Sequence, residues 1–256
     1  MIKIGKTVLG GPKIALIAGP CAVESLEQTM QTAHFLQSQG VSVFRAGAFK
    51  PRTNPTSFQG LGEQGLEILA RVKKETGLLI CTEVMDARQI PAVSRVADLL
   101  QVGARNMQNY DLLRELGRQE KPVLLKNGLA ATVDELIGAG EYVLQGGNTD
   151  LIYCLRGIRT FETRTRFAFD PALVEALKNE TKRPVIVDPS HSAGRRDLVY
   201  PIARAAVAVG ADGLLVEVHP DPTKAKSDAE QQLDFGGFER LLAELRPIAQ
   251  AVGRTL

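Results

Sequence analysis

The chain has 256 residues, of which 44% are hydrophobic, and a formal net charge of +2, which excludes both a disordered chain and a polycation that wraps nucleic acid. Its three cysteines, Cys21, Cys81 and Cys154, are too few for a disulfide framework and favour a reduced compartment. Neither a signal peptide nor an apolar run of membrane-spanning length is visible, so the sequence predicts a cytoplasmic protein without a membrane partner.

Predicted elements begin with a small hairpin over residues 2–13, in which Gly10 and Gly11 signal a turn and which we expect to cover one end of the fold. Eight short runs rich in Ile, Leu and Val then alternate with segments of helical apolar spacing, as expected for buried parallel strands. The predicted strands are IALIAGP (14–20), VSVFRAG (41–47), LLICTEV (78–84), LLQVGA (99–104), PVLLKNG (122–128), DLIYCLRGI (150–158), PVIVDPS (184–190) and GLLVEVH (213–219).

Helix boundaries agree with this alternation. Ser25 with Gln28, and Thr132 with Glu135, match the capping-box pattern of helix starts. Gly40, Gly77 and Gly210 are placed to end helices before the next strand. Eight strand and helix units in about 250 residues predict a (β/α)8 TIM barrel, with a doubly wound open sheet as the weaker alternative. With no break in composition, we expect a single catalytic domain over 1–256, preceded within it by the hairpin extension at 1–13.

Catalytic groups of a TIM barrel follow the carboxyl ends of its strands, and every predicted strand ends on a polar or reactive side chain. Six cations lie in these positions, and barrel closure would bring them to one face at a high cost in repulsion unless anions are bound. Six cations suggest two phosphates, or a phosphate and a carboxylate, rather than one anion; solvated loop arginines are the alternative interpretation. The six are Arg45, Lys50, Arg52, Arg105, Lys126 and Arg156.

A metal site is the second prediction from the strand ends. Cys21, His191 and Glu217 follow different strands and could meet at one rim, together with a carboxylate from the last long loop. A thiol, an imidazole and carboxylates suit a divalent transition metal. Spacing alone leaves four candidates for the last ligand, namely Asp221, Asp228, Glu230 and Asp234. We expect four further arginines at the surface or at an interface, namely Arg164, Arg166, Arg195 and Arg196.

Seven motifs now carry a resemblance to a known family. They are AGPCAVES (18–25), FRAGAFKPRTNPTSFQGLG (44–62), TEVMD (82–86), QVGARNMQN (101–109), RGIRTFE (156–162), VDPSHSAGRRDLV (187–199) and VEVHPDP (216–222). In this order they resemble 3-deoxy-D-arabino-heptulosonate 7-phosphate synthase of the short type I-beta form. The resemblance implies a metal-dependent TIM-barrel enzyme that condenses phosphoenolpyruvate with erythrose 4-phosphate and opens the shikimate pathway to aromatic amino acids.

The resemblance also implies roles for individual residues. The metal ligands would be Cys21, His191, Glu217 and Asp228, with His219 only a neighbour, and the ion would be Mn²⁺, Fe²⁺, Co²⁺, Zn²⁺ or similar. The groups expected to bind the phosphoenolpyruvate carboxylate are Arg45 and Lys50, and those expected to bind its phosphate are Arg105, Lys126 and Arg156. Arg52 and Thr53 would bind the phosphate of erythrose 4-phosphate. Glu83 would help to position the attacking water, and the catalytic set would be Cys21, Lys50, Glu83 and His191.

Three alternatives are weighed against this function. The sister enzyme that uses arabinose 5-phosphate to make 3-deoxy-octulosonate 8-phosphate typically has KANR where this chain has KPRT at 50–53, which favours the four-carbon sugar. A catalytically dead barrel would be expected to have lost ligands or several cations. A metal-dependent aldolase would not need the second group of cations.

Two positions depart from the family pattern. The chain has Lys126-Asn127-Gly128 where the family usually has KRG, and it has Leu155 before RGIR where the family usually has Glu. Only about a dozen residues precede the first predicted strand, so we expect no appended regulatory domain and little feedback inhibition by aromatic amino acids, prephenate or chorismate. The resemblance further implies a homodimer or a homotetramer.

Overall fold

A computed structural model describes residues 1–256, and its eight parallel strands close into a barrel. The predicted TIM barrel is therefore confirmed, and the open doubly wound sheet is wrong, because the last strand pairs with the first from Gly213 beside Ala15 to Glu217 beside Gly19. The barrel strands are β3 (Ala15–Gly19), β4 (Val43–Arg45), β5 (Leu79–Glu83), β6 (Leu99–Val102), β7 (Val123–Lys126), β8 (Leu151–Leu155), β9 (Val185–Val187) and β10 (Gly213–Glu217).

Helices surround the barrel, and one short helix is added directly after β9. They are α1 (Leu26–Ser38), α2 (Glu63–Thr76), α3 (Ile90–Val96), α4 (Tyr110–Gly117), α5 (Val133–Gln145), α6 (Ala172–Thr181), the short α7 (Pro189–Ala193), α8 (Arg196–Ala208) and α9 (Phe235–Ala251). Short 3-10 helices occupy Ala87–Gln89, Ala104–Asn106 and Pro222–Lys224. None of the helices has both the length and the apolar character of a membrane span.

The predicted helix caps are largely confirmed. Thr132 and Glu135 form a reciprocal capping box at the start of α5. At the start of α1, Ser25 accepts a hydrogen bond from the Gln28 backbone N–H, but the Gln28 side chain bonds to the N–H of Glu24 instead of closing a capping box. Gly77 ends α2 in the left-handed conformation, where a side chain would be strained.

An antiparallel hairpin of β1 (Ile2–Ile4) and β2 (Thr7–Leu9) covers the amino end of the barrel. Its turn lies at residues 5–6, not at Gly10 and Gly11 as predicted, and Gly5 has a φ of 54°. Ile2, Ile4 and Leu9 are buried in one cluster with side chains of the barrel interior. The hairpin thus closes the amino end, which leaves the carboxyl ends of the strands as the open end of the barrel.

Candidate active site

All six cations that follow the predicted strands line one polar cavity of about 270 Å³ at the open end of the barrel. Among its seventeen lining residues, one is hydrophobic. Since like charges this close repel one another, the cavity is suited to bind anions of two or more charges. The six are Arg45, Lys50, Arg52, Arg105, Lys126 and Arg156.

Beside these cations, three donor side chains form a cluster, and a fourth, His191, lies next to it. Cys21 Sγ lies 3.1 Å from Asp228 Oδ2, and the ligand atoms of Cys21, Glu217 and Asp228 are all within 4.8 Å of one another. The Nε2 atom of His191 lies 3.6 Å from a carboxylate oxygen of Glu217 and 3.6 Å from one of Asp228. One thiol, one imidazole and two carboxylates around a common point fit a divalent transition metal.

The last long loop contains the four carboxylates that spacing left as candidates for the last metal ligand, and the structure places them differently. Asp228 alone reaches the cluster, with a φ of 50° that few residues other than glycine adopt. Asp221 caps a 3-10 helix and Asp234 caps α9, so both carboxylates are used by backbone N–H groups. Glu230 is exposed, and its backbone carbonyl accepts a hydrogen bond from Arg196.

Burial controls the protonation of Cys21. Burial, followed by the negative charge of Glu217, raises the pKa of the thiol to about 12, although Lys50 and Arg45 act in the opposite direction. The thiol is therefore protonated at neutral pH in the absence of a metal. A metal ion would take the place of that proton, because the thiolate is the metal-binding form.

Two cations touch the donor cluster directly. Arg45 Nη1 lies 3.0 Å from Glu217 Oε1 and 2.9 Å from the Pro20 carbonyl oxygen, while its Nε has no partner. Lys50 Nζ lies 2.9 Å from Cys21 Sγ. Both side chains are almost completely buried. An anion bound by these two groups would therefore lie next to the donor cluster.

A buried carboxylate connects the cluster to a third cation. Asp188 Oδ2 lies 2.5 Å from Lys126 Nζ and 2.7 Å from His191 Nδ1. Burial alone would raise the pKa of Asp188, but His191 and Lys126 hold it well below its usual range. The tautomer in which Nδ1 donates to this carboxylate leaves the Nε2 lone pair of His191 facing the cluster, as a metal ligand requires.

Arg156 is held in the cavity wall by an aromatic ring. Its guanidinium lies 3.8 Å over the Phe167 ring, and its buried Nη1 has no hydrogen-bond partner. Burial lowers the pKa of Arg156 to about 10, so that the side chain is still charged at neutral pH. A buried guanidinium with an unused donor is suited to bind a phosphate.

Glu83 is the acidic group among these cations. It is buried, its Oε1 has no partner, and its Oε2 lies 3.5 Å from Gln101 Nε2. Gly103 makes room for it, because a Cβ at that position would collide with the Glu83 carboxylate. One oxygen of the carboxylate, Oε1, is therefore buried against Gly103 without a hydrogen-bond partner.

At the outer rim, Arg52 and Thr53 lie on the loop that follows β4. Arg105 Nη2 lies 3.3 Å from Thr53 Oγ1. The two predicted groups of phosphate-binding residues are therefore adjacent, and they meet at Arg105.

Arg166 is exposed, as expected for the surface, but it also lines the cavity. Its side chain is 39% exposed, yet it lines the cavity, with Nη1 3.1 Å from Gln231 Oε1 and 3.5 Å from Asp228 Oδ1. It lies on the loop between β8 and α6, far from a strand end, where sequence reasoning has no signal. Arg164 and Arg195 are exposed as expected.

Arg196 differs from the surface position expected for it, whereas His219 is the neighbour of the cluster that the resemblance implies. Arg196 is half-buried and donates to the carbonyls of Gln232 and Ala229, which fixes the loop that contains Asp228. His219 is buried next to the cluster as a neighbour, with Nε2 3.6 Å from Glu24 Oε2. Neither Gln101 nor Asp188 was assigned a role from the sequence, although both lie at or beside strand ends.

Comparison with known proteins gives the same family along the whole chain. The family model described as DAHP synthetase I family matches residues 2–252. The chain is 50% identical to a phospho-2-dehydro-3-deoxyheptonate aldolase of Thermotoga maritima, over 99% of this chain and 75% of that protein. The crystal structure of this DAHP synthase superposes with a TM-score of 0.95 at 49% identity, over 99% of this chain and 74% of the other. A 2-dehydro-3-deoxyphosphooctonate aldolase of Syntrophotalea carbinolica is 34% identical, over 96% of this chain and 95% of that protein.

Proposed function

The chain belongs to the DAHP synthetase I family, and on that premise we propose that it condenses phosphoenolpyruvate with D-erythrose 4-phosphate and water, releasing 3-deoxy-D-arabino-heptulosonate 7-phosphate (DAHP) and inorganic phosphate. The observation that carries the proposal is the cavity itself, where cations from several strands surround one donor cluster and one buried carboxylate. Two phosphorylated substrates account for the cations, a metal ion accounts for the donor cluster, and the attacking water accounts for the buried carboxylate of Glu83.

The donor cluster is proposed to hold a divalent metal ion through Cys21, His191, Glu217 and Asp228. Such an ion supplies Lewis acidity that polarises the aldehyde oxygen of the sugar phosphate. Which of Mn²⁺, Fe²⁺, Co²⁺ or Zn²⁺ is used in the cell depends on availability, because this mixed donor set accepts each of them.

The cations are proposed to divide between the two substrates. Arg45 and Lys50, which touch the donor cluster, bind the carboxylate of phosphoenolpyruvate. The phosphate of phosphoenolpyruvate lies among Arg105, Lys126 and Arg156. Arg52 with Thr53 binds the phosphate of erythrose 4-phosphate at the rim. Fixed guanidinium and ammonium groups orient both substrates without the cost of reorganisation.

In this arrangement C3 of phosphoenolpyruvate attacks the aldehyde carbon, and positive charge develops at C2. Water adds at C2, positioned by the Glu83 carboxylate. The hemiketal phosphate that results expels inorganic phosphate by cleavage of its C–O bond, and the surrounding cations stabilise the leaving group. Atoms balance, since one water enters and one phosphate leaves.

A second candidate function is the condensation of phosphoenolpyruvate with arabinose 5-phosphate. It is favoured by the 34% identity to the Syntrophotalea carbinolica protein. The KPRT sequence at 50–53 and the higher identity to the Thermotoga maritima protein favour erythrose 4-phosphate.

A turnover assay tests both functions. Phosphoenolpyruvate is supplied with either erythrose 4-phosphate or arabinose 5-phosphate, and phosphate release is followed with and without a chelator. We expect turnover with erythrose 4-phosphate and its loss on chelation, with recovery when metal is restored. Turnover with arabinose 5-phosphate alone would select the second function, and full activity after complete metal removal would contradict the metal assignment.

Location and assembly are also proposals. Three unpaired, buried cysteines support a reducing compartment, which we take to be the cytoplasm. Resemblance to the family supports a homodimer or a homotetramer. Light scattering would measure the assembly directly.

A further inference from the structure

Asn127, one of the two departures from the family pattern, joins the carboxyl ends of β7 and β8. The side chain is buried, with 4% of its surface exposed. Its Oδ1 accepts a hydrogen bond of 2.7 Å from the Arg156 backbone N–H. Its Nδ2 donates to the carbonyl oxygens of Gly128 and Gly157, each at 3.1 Å. All three hydrogen bonds hold backbone at the strand ends that precede the loops of the cavity.

Asn127 holds the backbone from which the Arg156 side chain extends. Gly157 has a φ of 76°, and a Cβ there would lie 2.8 Å from the Ala168 carbonyl oxygen, so the turn after Arg156 has little freedom. Beyond this turn, the Arg156 guanidinium lies over the Phe167 ring with one unused donor. Lys126, the other cation of this wall, is the residue directly before Asn127.

We infer that Asn127 is a positioning residue for phosphate binding, acting through Arg156. This inference rests on the proposed function, since the phosphate in question is that of phosphoenolpyruvate. Removing the amide leaves the buried Arg156 N–H and two carbonyls without their partners, and the strand end must shift to satisfy them. A shift of about 1 Å in a binding group is enough to reduce activity by about 100-fold.

A matched control lies at the other end of the same two strands. Asn148, with 6% of its surface exposed, donates from Nδ2 to the carbonyl oxygens of Leu116 and Lys121, at 3.3 and 2.8 Å. Its Oδ1 accepts from the Asp150 N–H at 3.0 Å. This asparagine therefore makes the same three kinds of hydrogen bond, but at the amino ends of the strands, away from the cavity.

The experiment compares Asn127→Leu and Asn127→Ala with Asn148→Leu. Steady-state kinetics gives KM for each substrate and kcat, calorimetry gives the affinity for phosphoenolpyruvate alone, and thermal unfolding gives Tm. For both Asn127 variants we expect KM and the calorimetric Kd for phosphoenolpyruvate to rise by about tenfold or more, with KM for erythrose 4-phosphate and the metal content unchanged. For Asn148→Leu we expect a lower Tm and an unchanged affinity for phosphoenolpyruvate.

Two results would overturn the inference. One is a lower Tm with unchanged phosphoenolpyruvate affinity in the Asn127 variants, which would make the residue structural only, like Asn148. The other is loss of the folded state in both Asn127 variants while Asn148→Leu folds. Failure of the unmodified enzyme to turn over either sugar phosphate would instead contradict the proposed function, and calorimetry would still test the effect of Asn127 on phosphoenolpyruvate binding.

Discussion

Lys50 Nζ lies 2.9 Å from Cys21 Sγ, so that a proposed substrate-binding cation and a proposed metal ligand are in direct contact. The two proposed substrate and metal sites therefore share a boundary, and a change at Cys21 is expected to affect both. Burial and the charge of Glu217 outweigh the influence of Lys50 and keep the thiol protonated without metal.

Replacement of Cys21 by alanine is expected to remove both bound metal and turnover. The remaining imidazole and carboxylates lack the thiolate, the softest donor of the set. Metal content by elemental analysis and phosphate release would measure the two effects. Cys81→Ala is the matched control, because Cys81 is buried in the barrel interior away from the donor cluster. A Cys21→Ala protein with full activity and no metal would refute the assignment.

Metal uptake is expected to release about one proton from Cys21 at neutral pH. The raised pKa of about 12 means that the thiol holds its proton until a metal replaces it, so metal affinity rises as the pH rises toward that value. Calorimetric titration with Zn²⁺ in two buffers of different ionisation enthalpy measures the proton count. The Cys21→Ala variant should release no such proton, and equal release by both proteins would contradict the prediction.

Asp188→Asn is expected to weaken metal binding by about 10- to 100-fold, because the variant no longer fixes the His191 ring. It also leaves Lys126 buried without a counter-charge, at a cost of about 3–5 kcal/mol in the free energy of unfolding. The measurements are competition with a chelator of known affinity and denaturant unfolding. Unchanged metal affinity in a folded variant would remove Asp188 from the proposed role.

Asp188 also gives a pH dependence of stability. Its pKa is lowered on folding, so its contribution is fully present above its unfolded pKa of 3.8 and is lost as the pH falls toward the folded value. The free energy of unfolding of the unmodified protein should therefore fall on acidification below about pH 4, and fall less steeply in Asp188→Asn. Parallel curves for the two proteins would contradict this assignment of the acid sensitivity.

Sequence alone predicts the barrel well, because strands buried on both faces are almost continuously apolar and each lies between helical patterns. It fails at the hairpin turn, where Gly5 and the pair Gly10 and Gly11 offer competing signals and only tertiary contacts select between them. In the site, the strand-end rule places six cations correctly, since the fold itself brings these positions together.

Long loops limit what sequence can predict about the rest of the site. Arg166 reaches the cavity because the loop after β8 folds back, with Ile158 paired to Ala168, and no local pattern encodes that path. Asp228 could not be selected by spacing, since its position depends on a left-handed backbone and on a loop fixed by Arg196. Resemblance to the family selected Asp228 as the proposed ligand, where spacing left four carboxylates open.

Arg52→Ala is expected to raise KM for erythrose 4-phosphate while leaving the affinity for phosphoenolpyruvate nearly unchanged. Arg52 lies on the outer rim, where it is proposed to bind the sugar phosphate, and loss of one charge-assisted bond costs about 1.5–3 kcal/mol, or roughly 10- to 150-fold in affinity. Arg164→Ala, which removes an exposed arginine of the loop after β8, is the control. A rise in KM for phosphoenolpyruvate alone would reverse the proposed division of the cations.

Ile4→Ala is expected to destabilise the protein without changing catalysis. Ile4 is 2% exposed and packs with the barrel interior at the amino end, opposite the cavity. Truncation of a buried isoleucine costs about 2–5 kcal/mol, because it removes apolar contacts and leaves a cavity. For a chain of this size, the expected fall in Tm is about 5–15 °C.

Denaturant and thermal unfolding measure the loss, and steady-state kinetics measures KM and kcat. Lys3→Ala, on the exposed face of the same strand, should change neither stability nor kinetics. A changed KM in Ile4→Ala would show that the hairpin affects the opposite end of the barrel. Unchanged stability would show that packing of the hairpin against the amino end does not stabilise the barrel.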